Sequence, residues 1–166
     1  MAGYPLLLVF PAVMAYAAAS DLLTMRIANR VSLGLVAAFL VIALIAGMPV
    51  QEMLLHLAVG ASLLLAGMLL FSLNLVGGGD AKLLAAAGLW IGYDQLVPFL
   101  LYVTAFGGAL ALLLLAYRRF PAAALPLPTW AVRLHAQGVG MPYGIAIAAG
   151  ALAVYPLTSW PRLLAP

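Results

Sequence analysis

Gly77-Gly78-Gly79-Asp80-Ala81-Lys82 separates two apolar runs, Met53 to Val76 before it and Leu83 to Gly92 after it. Reading this stretch as a break between two membrane helices decides the fold. A charged side chain beside membrane-embedded segments costs roughly 2.5–3.5 kcal/mol on insertion scales, and such residues usually mark function. Adjacent glycines interrupt a helix and let other backbone approach closely. The expectation is an acid presented on an irregular loop that lines a watery cavity. The plainer alternative is a turn between helices with Asp80 as an N-cap, a position that Asp favours.

Composition sets the class. Hydrophobic residues make up 67% of the 166 positions and charged residues 7%, with a mean hydropathy of +1.21. Average soluble chains are about 45–50% apolar and about 25% charged. The chain therefore reads as an all-α polytopic membrane bundle, with residues 1–166 forming a single membrane-embedded domain. The net charge of +3 comes from seven bases and four acids, and gives no reason to expect a nucleic-acid partner. Cysteine is absent, which excludes disulfides, thiolate zinc sites and a cysteine nucleophile. Ala15-Tyr16-Ala17 resembles a signal cleavage site, but Met1 to Pro5 carries no Lys or Arg, so the stretch reads as a retained first helix.

Six membrane helices are expected. They run from about Pro5 to Ser20, Val31 to Ala46, Met53 to Val76, Lys82 to Gly92, Leu96 to Tyr117 and Met141 to Tyr155. Crossing a core of ~30 Å takes about 20 residues, so the fourth helix is short. The connectors on one side hold Arg26, Arg30, Lys82, Arg118, Arg119 and Arg133. Those on the other side hold Glu52 and Asp94 and no base. The positive-inside rule makes the basic side cytoplasmic, with Arg162 as a minor dissent.

Asp21 ends the first helix and Asp80 opens the fourth, with two complete crossings between them. Both acids then lie at the cytoplasmic ends of their helices, while Glu52 and Asp94 fall on the far side. Two carboxylates about 3 Å apart cannot both ionise easily and share a proton. One acts as base on a water, the other as acid toward the carbonyl oxygen or leaving amine. The alternative is two separate interfacial caps, with Asp21 pairing to Arg26.

Ser20-Asp21, Ile27-Ala28-Asn29, Gly77 to Lys82, and Met141-Pro142-Tyr143-Gly144-Ile145-Ala146-Ile147 with Gly150 together resemble the type IV prepilin peptidases. These are membrane aspartic proteases of the Gly-x-Gly-Asp type, and the likeness is closest to the short members that process Flp-type pilins of tight-adherence systems. The resemblance implies cleavage of leader peptides from prepilin or pseudopilin substrates, just before the hydrophobic pilin helix. It places the active site at the cytoplasmic face of the bacterial inner membrane, in the service of pilus assembly or secretion. It also implies Asp21 and Asp80 as the catalytic pair and no cofactor. Ala28 stands where the family commonly has Pro. Larger members carry a cysteine-paired insert after the first helix and also N-methylate the product. Here that connector is about nine residues and cysteine is absent, which implies a peptidase without methyltransferase activity and without zinc.

Around the acids, Gly77, Gly78 and Gly79 read as the active-site loop. Lys82 reads as a residue that holds this loop, or as a snorkelling interfacial lysine. Asn29 reads as a cap of the second helix or a bond to the loop. Gly138, Gly140, Pro142, Tyr143 and Gly144 read as the start of the last helix, and Pro142, Tyr143 and Gly144 by resemblance as a substrate-adjacent wall. His56 and His135 fall on opposite sides and share no metal. No His-Glu-x-x-His or Gly-x-Ser-x-Gly motif occurs. Two other functions remain open on these residues: a small transporter or proton path through Asp80, and a non-catalytic scaffold of a pilus or secretion apparatus.

Overall fold

The computed structural model describes residues 3–119, 128–136 and 140–165. Gly138 and residues 120–127 of the Pro-rich connector lie outside them. Among the described residues there is no strand. The helices are α1 (Gly3–Leu7), α2 (Val9–Thr24), α3 (Asn29–Ile45), α4 (Val50–Ser72), α5 (Gly78–Ile91), α6 (Leu96–Arg119), α7 (Thr129–His135), α8 (Gly144–Val154) and α9 (Trp160–Leu164). The break between α1 and α2 falls at Leu8, where Pro11 lacks the N–H that would bond the Leu7 carbonyl. Gly3–Thr24, Val50–Ser72 and Leu96–Arg119 are each long and apolar enough to cross a membrane. With the shorter α3, α5 and α8, they correspond to the six expected helices of an all-α membrane bundle.

Two boundaries differ from expectation in ways that move the acids. The first helix does not stop at Ser20 but runs on to Thr24, so Asp21 sits inside it. The fourth begins at Gly78 rather than Lys82, so two of the three glycines belong to its first turn and only Gly77 lies outside. Glycine lowers helix propensity by only about 1 kcal/mol, which tertiary packing overrides. Here Gly79 packs on Ile27 and Gly78 on the Phe71 ring. The irregular backbone is instead the preceding segment, where Asn74 adopts φ 57° and ends α4. Part of the expected connector before the last helix also folds, as α7.

The two short spans are the central ones. α5 packs against α4, α3 and α8, while α8 packs against α6, α2 and α5. A helix apolar all round is a buried helix, and Ala85 to Ile91 of α5 form an unbroken buried run. The lipid-facing leucines lie mainly on α3, α4 and α6, including Leu33, Leu65 and Leu112. Away from the acids the core closes on aromatic rings. Trp90 stacks on Phe10 at 5.1 Å and lies 4.9 Å from Trp160, centroid to centroid. Both indoles are satisfied: Trp90 donates to the Leu35 carbonyl at 2.9 Å and Trp160 to the Trp90 carbonyl at 2.7 Å.

Charge separates along the bundle as the connectors predict. Glu52, His56, Asp94 and Arg162 gather around one pocket of about 220 Å³. At the other end, Arg118 donates to the carbonyls of Leu134 and Gly140, and Gly140 lies beside Met25. Gly140, just before α8, thereby lies at the end that carries Asp21.

Candidate active site

Asp21 lies in the last turn of α2, 5% exposed. A buried carboxylate needs donors, and one comes from α8. The first N–H groups of a helix have no intrahelical partner. The backbone N–H of Gly144, the first residue of α8, donates to Asp21 Oδ2 at 2.8 Å. Gly144 is required by this contact. A Cβ there would stand 2.7 Å from Asp21 Oδ2 and 2.8 Å from Ile27 Cδ1.

The chain then turns sharply. Met25 takes a left-handed conformation, φ 56°, and its N–H bonds the Asp21 carbonyl at 2.7 Å. A bulky residue at positive φ persists only where its surroundings hold it. Two hydroxyls do so, since Ser20 and Thr24 both donate to the Arg26 carbonyl, at 3.1 and 3.2 Å. This latch escapes sequence reading, although hydroxyl residues flanking an acid at a helix end are its visible trace.

Asp80 occupies the first turn of α5, where the helix dipole favours an anion. Its carboxylate folds back over Gly77, and a Cβ at that position would meet Asp80 Oδ2 at 2.8 Å. It is therefore Gly77 that must be small for the acid to hold this pose. The first turn of α5 also lies against Ile27, so the connector after α2 and the start of α5 form one wall.

Asp21 and Asp80 line a common cleft of about 720 Å³, together with Ser20, Thr24, the Met25–Arg30 connector and Gly77 to Gly79. Asp21 lies within electrostatic reach of Asp80. The structure thus brings both acids into the lining of one cleft. Arg26 and Arg30 stand on its exposed rim. Asp21 takes its hydrogen bond from Gly144 and has none to Arg26.

The supporting residues divide. Lys82 Nζ donates to Asn29 Oδ1 at 2.9 Å, tying the start of α3 to the first turns of α5. Asn29 is thus not the cap of α3: Ala28 holds that position, without a side-chain hydrogen bond. Pro142 is fully buried, and Gly144 touches Asp21 itself. Tyr143 is within electrostatic reach of Asp80, and its ring packs where Gly107 of α6 leaves space. Of the three, Gly144 is the one that contacts an acid, and Pro142 and Tyr143 lie just before α8.

No curated protein and no solved structure matches the chain. A family model does, across residues 8–112, a span that contains both acids and both sides of the cleft. The chain belongs to the type IV leader peptidase family, membrane peptidases generally of the aspartic type.

Proposed function

We propose that Asp21 and Asp80 are the catalytic pair of an aspartic endopeptidase that removes leader peptides from Flp-type prepilins or pseudopilins, serving pilus assembly or secretion. The observation that carries this reading is the shared cleft, with one acid anchored by the N-terminus of α8 and the other set on the N-terminus of α5. One carboxylate of the pair takes a proton from a water lying between them as that water attacks the scissile carbonyl carbon. The other gives its proton to the carbonyl oxygen. Collapse of the tetrahedral intermediate breaks the C–N bond, with the proton passed on to the leaving amine. The proton belongs to the pair rather than to either residue.

The basic end of the bundle carries the cleft, which supports an active site facing the cytoplasm from the bacterial inner membrane. The short connector and the absence of cysteine support peptidase activity without N-methylation or bound zinc. A helical peptide bond is shielded by its own hydrogen bonds, so the leader junction must bind unwound. Cleavage of a membrane-inserted Flp-type prepilin by the intact chain, lost in both Asp21→Asn and Asp80→Asn, tests the assignment. Full processing by either variant defeats it. A transporter needs no such pair, and a scaffold needs neither acid.

A further inference from the structure

A second cavity, of about 470 Å³, opens between α3, α4 and α5, toward the side that faces lipid. Its walls are apolar and its floor is small: Gly60 and Ala61 of α4, and Ala85 and Ala86 of α5. It runs from Asn29 and Lys82 to Val36 and Leu89, about two turns of each helix, or ~10 Å at ~1.5 Å per residue. Asn29 lines both this groove and the acid cleft, and the Lys82 to Asn29 hydrogen bond stands at their junction. Ser32 also lines it. That hydroxyl is buried, with 7% of the residue exposed, and its Oγ has no hydrogen-bond partner.

We propose that this groove seats the apolar membrane segment of the substrate, on the C-terminal side of the bond cleaved at the acids. The proposal rests on the leader-peptidase reading, in which the scissile bond lies just before a hydrophobic helix. Continuity through Asn29 places the groove where that helix must go once the junction reaches Asp21 and Asp80. Small residues let a helix backbone approach closely, as helix association in lipid requires. A lipid tail gains little from such a floor and has nothing to offer the Ser32 hydroxyl. A peptide carbonyl or a hydroxyl side chain does, and an unmatched buried polar group is costly.

Two probes separate the groove from the chemistry: a full-length membrane-inserted Flp-type prepilin, and a soluble peptide holding only its leader and the first few residues past the cleavage site. Ala61→Trp fills the groove, while Leu65→Trp on the lipid face of the same helix serves as control. The expected result is a rise in KM of about tenfold for the prepilin with Ala61→Trp, unchanged cleavage of the peptide, and no effect of Leu65→Trp on either. An equal KM for wild type and Ala61→Trp on the prepilin overturns the inference. If Ala61→Trp loses both substrates, Ser32→Ala decides: a selective loss on the prepilin supports the groove, and none overturns it. A photo-crosslinker at Leu33 or Leu64 should capture the prepilin, and capture of lipid alone overturns the proposal. Failure of the unsubstituted chain to cut either probe removes the peptidase reading and this inference together. Normal cutting with an inert groove removes only the inference.

Discussion

The Gly144 N–H and the Asp21 carboxylate, 123 residues apart in sequence, meet at 2.8 Å, so the start of α8 holds the acid at the end of α2. Anything larger than glycine at 144 pushes on Asp21 Oδ2 and Ile27 Cδ1. Misplacing a catalytic group by about 1 Å can lower activity by about 10²-fold. Gly144→Ala should therefore reduce kcat/KM on a prepilin by about that factor, with helical content retained by circular dichroism. Unchanged kinetics would show that Asp21 does not depend on this contact.

Neutralising either acid should be far more severe. Asp21→Asn and Asp80→Asn should each lower kcat by about 10⁴-fold, and the double variant little further, because groups that act as a unit are not additive. An amide keeps the shape and an acceptor oxygen, so thermal stability should stay close to that of the unsubstituted chain. Independent, additive losses would contradict a shared mechanism.

The Lys82 to Asn29 bond calls for a double-mutant cycle. Lys82→Met and Asn29→Ala should each slow cleavage by several-fold, about 1 kcal/mol in barrier, and the double variant by no more than the larger single effect. Full additivity would mean that the two side chains act separately.

The aromatic end provides a contrast. Trp160→Phe leaves the Trp90 carbonyl without its donor in a fully buried setting. The expected loss is about 1–3 kcal/mol of stability, read as a lower Tm, with kcat/KM unchanged. A kinetic defect at full stability would tie this end to the chemistry.

Topology can be read by labelling, since the chain has no native cysteine. Arg26→Cys and Asp94→Cys should react with a membrane-impermeant thiol reagent from opposite sides of the membrane. Labelling from the same side would undo the orientation on which the proposed cytoplasmic active site depends.

Much of this architecture is legible in the sequence because membranes impose simple rules. Backbone polar groups must be satisfied within the lipid, so a chain of this composition has to be helical. Connector charges order its ends, and counting crossings from Asp21 to Asp80 brings the two acids to the same one. None of that needs long-range contacts.

The details that make a site did need them. Helices that are apolar on nearly every face carry little sign of which neighbour each face meets, so the central places of α5 and α8 came only from packing. Gly78 and Gly79 look like a loop in sequence, yet Ile27 and Phe71 close around them and the helix begins early. Asn29 looks like a cap and instead accepts from Lys82. Composition and charge determined a membrane bundle with a pair of acids at one end. Tertiary contacts decided which backbone N–H, which glycine and which groove surround that pair, because each joins residues far apart in the chain, and local propensity says nothing about partners it cannot reach.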